Sequence, residues 1–240
     1  MNSTTMTAGI PLYVHPAVDS RAWAALATPG QPVSWVVVNQ SSGPGDPEDT
    51  DLTDAASAVI AAGATVCGYV DHNYGAVVDF TVVTQATEWV SRGIKGVFLD
   101  RVSADEADLQ AVGATVLLLR KAGVEYVILN CGTLPAAGYL DIADTVVTFE
   151  GTMAAYEALS APEWTQNFPP ERMSHLVYEA AAEDVTEAVR LARRRGVHHL
   201  YVTDGTFASG NPWGGLPDYW APQAQALTRY PARPTHRWVR

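Results

Sequence analysis

The stretches TVCGYVDH (65–72) and GVFLDR (96–101) decide the fold: each is a short apolar run that ends in a carboxylate, Asp71 in the first and Asp100 in the second. Continuous apolar runs of this length suit strands buried on both faces, the habit of a parallel sheet covered by helices. Six further runs share the design: PLYVHP (11–16), VSWVVVNQ (33–40), EYVILNCG (125–132), TVVTFEG (145–151), SHLVYEA (174–180) and HHLYVTDG (198–205). Eight such runs predict an α/β fold, a single-domain (β/α)8 TIM barrel, and 240 residues is close to the usual size of one. The barrel is expected over 10–230, after a disordered N-terminus at 1–9 and before a flexible tail at 231–240.

The polar endings of the runs carry the functional signal. Barrel enzymes assemble their sites at the C-terminal ends of the strands, where several strands each supply one group. Asp71, Asp100, Asn130, Glu150, Glu179 and Asp204 would then face one mouth and line an acidic pocket. Between the runs, helical composition predicts helices over 51–62, 81–92, 104–122, 152–159 and 183–195. In the third and fifth, acidic residues lead and basic ones (Arg120 and Lys121; Arg193, Arg194 and Arg195) close, complementing the helix dipole. The arginine run therefore reads as a helix end rather than a binding patch.

Composition narrows the partners. The chain is 48% hydrophobic and 17% charged, an ordinary globular balance, and its formal net charge of -11 argues against nucleic acid or an anionic membrane as partner. An acidic pocket would favour a cationic or neutral substrate. The start, MNSTTMTAGI, has no basic, apolar leader pattern and no run is long enough to cross a bilayer, so a cytoplasmic protein is expected. Cys67 and Cys131 form no metal-ligand pattern, and no phosphate loop or dinucleotide fingerprint occurs; no metal and no cofactor are expected. Cys67 reads as a small core residue, whereas Cys131 stands at a strand end, where a nucleophile or a packing residue would both fit.

Two loops stand out. QSSGPGDPEDT (40–50) puts a stiff turn at the mouth, and SGNPWGGLPDYW (209–220) gathers Trp213, Tyr219 and Trp220 among glycines and prolines. Rings on rigid loops either stack on flat ligand faces or plug the barrel end.

Taken in order, IPLYVHP, VVVNQSSGPG, GYVDHNYG, GVFLD, ILNCGT, the Phe149-Glu150 pair, YVTDG and LPDYW resemble the spherulin-type glycoside hydrolases, which include the endo-α-1,4-galactosaminidases. The resemblance runs from Ile10 to Trp220. It implies a (β/α)8 barrel and a retaining hydrolase of galactosamine or N-acetylgalactosamine polymers, with Asp100 as nucleophile and Glu150 as acid/base. Tyr13, Asn39, Asp71, Tyr74, Asn130, Tyr178 and Asp204 would bind substrate, and Trp213 and Tyr219 would stack on sugar rings. The chemistry has its own logic beside the resemblance: two carboxylates from the ends of the fourth and sixth strands can sit roughly 5 Å apart, which lets one attack while the other protonates the leaving oxygen.

The chain departs from the family pattern at five positions. Arg101 follows the catalytic aspartate where the family has glutamate, Gln40 and Cys131 replace prolines, His72 replaces threonine and His15 replaces tyrosine. Arg101 either enters the mouth, altering its charge by about two units, or points outward under strand alternation. His72 and His15 would add acid/base groups near neutral pH. These changes support an alternative expectation, a cytoplasmic tailoring enzyme (cyclase, isomerase or lyase) acting on a small specialised metabolite on the same barrel.

Overall fold

The computed structural model describes residues 5–229. Eight strands, β1 (Ala8–Leu12), β2 (Val33–Val38), β3 (Thr65–Asp71), β4 (Gly96–Asp100), β5 (Tyr126–Asn130), β6 (Thr145–Thr152), β7 (Met173–Tyr178) and β8 (His199–Val202), pair in parallel in chain order. Helices α1 (Ser20–Leu26), α2 (Thr50–Ala61), α3 (Asp79–Ser91), α4 (Leu109–Lys121), α5 (Tyr139–Ile142), α6 (Met153–Ala158), α7 (Val185–Arg194) and α8 (Trp220–Arg229) follow the strands one by one. The fold is a (β/α)8 barrel in a single domain, as the apolar runs predict. Among the described residues no helix is long and apolar enough to cross a membrane.

Closure falls to residues just ahead of β1. Thr7 bridges His199 in parallel: its N–H donates to the His198 carbonyl at 3.1 Å and its carbonyl accepts from Leu200 at 2.9 Å. This corrects the expected N-terminal boundary, since Met6 is fully buried and Ala8 and Gly9 belong to β1. The small residues of TAGI hide the strand from a hydrophobicity reading, yet smallness is what the site needs: a Cβ on Gly9 would fall 2.0 Å from the Trp35 ring. The expectation of a flexible tail at 231–240 lies outside the described residues.

Inside the barrel, Trp35 of β2 packs against Phe98 of β4 at 6.1 Å and His199 of β8 at 6.4 Å, an aromatic layer from even-numbered strands. The opposite face of each strand meets helices. On β3, Tyr69 turns inward to stack with Phe98 at 6.5 Å, while Gly68 turns outward and lets Trp89 of α3 lie on the backbone, its indole N–H donating to the Tyr69 carbonyl at 2.9 Å. The five expected helices are all present. The one over 104–122 begins as α helix only at Leu109, because Glu106–Asp108 form a tighter turn capped by Asp105. Arg195 does close α7, donating to the carbonyls of Tyr156 and Leu159 at 2.7 Å each. Helices α1, α5 and α8 are additional to the five expected.

A Cβ on Gly68 would sit 2.2 Å from the Trp89 ring. Gly68→Ala is expected to lower stability by about 1–3 kcal/mol through overpacking, seen as a reduced urea midpoint at unchanged slope; an unchanged midpoint would show that α3 can shift freely.

Candidate active site

The strand ends converge on a cavity of about 240 Å³ whose floor carries Asp100 (end of β4), Asn130 (end of β5) and Glu150 (within β6). Asn130 organises the three. Its Nδ2 donates to Asp100 Oδ1 at 2.7 Å and to Glu150 Oε2 at 2.8 Å, while its Oδ1 accepts from the Gly132 N–H at 3.0 Å, which fixes the orientation of the amide. Two oxygens bound to one nitrogen at these distances are at most about 5.5 Å apart. The other oxygen of Asp100, Oδ2, accepts from the Tyr69 hydroxyl at 2.8 Å. Asp100 thus has a donor on each oxygen.

Glu150 has the contrasting environment. Burial pushes its carboxyl above the usual range, hydrogen bonds from Asn130 and Trp213 act against that, and the charge of Asp100 adds to it. One carboxyl is held with acceptors satisfied and the other favours its proton, the division of roles that acid/base chemistry needs. Beneath them the Tyr13 ring lies edge-on to Tyr69 at 5.8 Å, and burial, then the nearby Asp100, keep its phenol protonated.

Arg101 settles between its two alternatives: it lines the cavity. Strand alternation does not govern it, because β4 stops at Asp100 and Arg101 has a left-handed backbone, φ 55°. Its guanidinium turns across the mouth onto Asp71, with Nε donating to Oδ1 at 2.9 Å and Nη2 to Oδ2. Asp71 also accepts from the Asn73 N–H at 2.9 Å. Asp71 is therefore engaged as the partner of Arg101. Tyr74, also left-handed with φ 55°, donates its N–H to the Arg101 carbonyl at 2.6 Å, so the loops after β3 and β4 are stitched together.

The walls bring corrections. Tyr178 and the exposed Tyr74 line the cavity as expected, but Trp213 and Tyr219 do not present ring faces. Both are buried: Trp213 packs on Tyr201 and Tyr178, and the Tyr219 hydroxyl donates to the Ala180 carbonyl at 2.7 Å. Trp220 is buried as well, at the start of α8. A loop rich in glycine and proline can fold its rings back onto the barrel, and here burial wins. The exposed ring at this side is Phe207, edge-on to Tyr178 at 5.2 Å, which the sequence reading missed; its only signal is an aromatic within the polar turn TDGTFASG. Asp204 and Glu179 are exposed and lie outside the cavity lining. Asn39 accepts from the Gly43 N–H at 3.2 Å and holds the loop after β2, which Arg92 also grips through the Pro44 carbonyl at 2.7 Å.

Neither added histidine reaches the carboxylates. His15 accepts from the Ala17 N–H at 3.1 Å through Nδ1, which places its proton on Nε2, 2.7 Å from Asp49. Gln40 donates to the same carboxylate, so both departures from the family pattern pin the start of α2. His72 is buried behind the loop, facing a neighbouring cavity with Asp79 and Asp108, and burial lowers its pKa against the pull of those charges. Cys131 does line the cavity, but burial pushes its thiol up to about 12, which disfavours the nucleophilic thiolate. Among the described residues no cluster of three or more histidines, cysteines or carboxylates could hold a metal.

A parallel barrel with a carboxylate pair joined at its mouth defines a glycoside hydrolase-like barrel. The model of the spherulation-specific family 4 matches residues 8–227, and the chain belongs to that family. It is 33% identical over 145 residues to Spherulin-4 of Physarum polycephalum, an alignment that spans 59% of this chain and 43% of that protein, so the chain covers less than half of the relative's length. Among solved structures it is similar to Aspergillus clavatus Sph3 in complex with GalNAc, with a TM-score of 0.79 at 21% identity, covering 95% of this chain and 99% of the other. A chitinase domain from Pyrococcus furiosus, solved with chito-oligosaccharides, shares the fold at a TM-score of 0.54 and 11% identity, covering 95% and 96%.

The raised carboxyl of Glu150 has a stability signature. Between the ordinary and the raised pKa the native state holds the proton more tightly than the unfolded chain, so stability falls as pH rises through that window. Glu150→Gln removes the loss: the variant is expected to be more stable than wild type in urea at pH 7, with the gain fading below the ordinary glutamate value of about 4.3. Equal midpoints at both pH values would show that the carboxyl is not desolvated.

Proposed function

We propose that the protein is a retaining glycoside hydrolase acting on α-1,4-linked polymers that contain N-acetylgalactosamine or galactosamine. The observation that supports this reading is the Asn130 amide, whose one nitrogen hydrogen-bonds both carboxyl groups and so keeps the two bonded oxygens within about 5.5 Å, compatible with the roughly 5–5.5 Å of retaining enzymes and short of the roughly 6.5–9.5 Å of inverting ones. Asp100 attacks the anomeric carbon as Glu150 gives its proton to the departing glycosidic oxygen, leaving a glycosyl ester on Asp100. Glu150, now ionised, takes a proton from water, and the resulting hydroxide opens the ester with a second inversion. Tyr69 and Asn130 orient the nucleophile throughout.

The cavity supports a chain substrate. At about 240 Å³ it is smaller than the roughly 300–1,000 Å³ pockets that engulf a whole small-molecule ligand. It suits one sugar of a polymer lying across the mouth, with the exposed rings of Tyr74 and Phe207 free to stack on neighbouring units. The GalNAc held by the Aspergillus clavatus relative supports the same sugar class. Tailoring of a small metabolite has less support, because His72, its proposed extra acid/base group, faces a different cavity.

Purified protein incubated with partially deacetylated α-1,4-galactosaminan is expected to release short oligosaccharides, detected by mass spectrometry, with the newly formed reducing ends retaining the α configuration by NMR. Asp100→Asn and Glu150→Gln should each lower the rate by about 100-fold or more. An untouched polymer, or full activity in either variant, would overturn the assignment.

A further inference from the structure

Arg101 stands in the cavity wall next to the nucleophile, and its conformation is heavily determined by its neighbours. The left-handed backbone at Arg101 and Tyr74 is unfavourable for side chains of their size, and such strain persists only where the surroundings enforce it. Three contacts do so: the Tyr74 N–H on the Arg101 carbonyl, the His72 N–H on the Asp100 carbonyl at 2.9 Å, and the two-pronged grip of Asp71 on the guanidinium. The grip uses Nε and one hydrogen of Nη2. Of the five N–H groups of a guanidinium, the remaining three, two of them on Nη1, stay available, and the side chain is 45% exposed toward the mouth.

The geometry points to Arg101, fixed by Asp71, as a specificity-determining residue that accepts an uncharged acyl-amino substituent on the sugar and rejects a free ammonium. This inference rests on the proposed glycosidase reading and narrows it to N-acetylated units. A guanidinium offers donors only, so it can hydrogen-bond an amide carbonyl, whereas a protonated amine brings three donors and a positive charge to the same place. Asp71, the carboxylate behind Arg101, has both of its oxygens taken by the guanidinium and is not free to accept from the amine.

The test compares fully N-acetylated and fully deacetylated α-1,4-galactosamine oligomers as substrates for wild type, Arg101→Glu and Arg101→Gln. The readout is the ratio of kcat/KM values, which a general loss of folding would not move in a set direction. Lys95→Glu, an equal charge change at the exposed Lys95–Glu125 pair outside the cavity, is the control. Wild type should prefer the acetylated oligomer. Arg101→Glu should lower that preference about tenfold or more, Arg101→Gln by less, and Lys95→Glu not at all. A preference that stays within about twofold of wild type in Arg101→Glu would overturn the inference even if both oligomers are cleaved. The same ratio is read from binding, by NMR titration of N-acetylgalactosamine against galactosamine with the Glu150→Gln protein, with and without Arg101→Glu. If wild type cleaves neither oligomer the hydrolase reading fails, yet this binding ratio still decides the role of Arg101: loss of preference supports it and an unchanged or absent preference overturns it. Should Arg101→Glu fail to give a folded circular dichroism spectrum, Arg101→Gln decides by the same criterion.

Discussion

A single amide nitrogen sets the chemistry of the site. Nδ2 of Asn130 is the group that can offer two hydrogens in diverging directions from one point, and it uses them to join carboxylates from β4 and β6 across the intervening strand. Aspartate, the isosteric alternative, would place a third acceptor between two acceptors. Leucine would leave one oxygen of each half-buried carboxyl group without its donor, at a cost on the order of 1–3 kcal/mol for each unsatisfied group. The same nitrogen shapes the two carboxyls differently, since Tyr69 supplies Asp100 with a further donor while burial dominates at Glu150. On that asymmetry rests the division into acid and nucleophile in the proposed mechanism.

The architecture was legible because a parallel barrel demands runs buried on both faces, and GVFLD or YVILN cannot serve well anywhere else. Asp100, Asn130 and Glu150 were legible for a related reason: a polar residue that ends such a run must emerge at the mouth. The rule fails one residue later. Arg101 and Glu179 both take left-handed backbone immediately after their strands, φ 55° and 53°, so the side chain leaves the strand's alternation and its direction depends on the loop. No periodicity in the sequence encodes that turn. The start of β1 was obscured for the opposite reason, because close approach of Trp35 requires a small residue at Gly9 where a hydrophobic one would have announced a strand.

The loops show the limit of composition as a guide to exposure. Trp213, Tyr219 and Trp220 look like a sugar platform in sequence, but each ring finds buried partners, and Trp213 reaches Glu150 only by its indole edge. The exposed rings, Tyr74 and Phe207, stand alone among polar neighbours. A cluster of aromatics can bury itself, whereas an isolated ring between polar residues has nothing to pack on except the barrel rim. The histidines teach the same lesson: His15 and His72 sit at strand ends in sequence, yet one caps a helix start through Asp49 and the other faces away from the carboxylates.

The bridge between Thr7 and His199 joins residues 192 positions apart, and nothing nearer in the chain can substitute for it. Without the contact to β8, the eight strands would form an open parallel sheet with unpaired edges at β1 and β8. Such edges are templates for pairing with other chains. Long-range parallel pairing also makes the final step slow. Those edges are therefore covered only once β8 reaches the segment ahead of β1, however stable the finished barrel is.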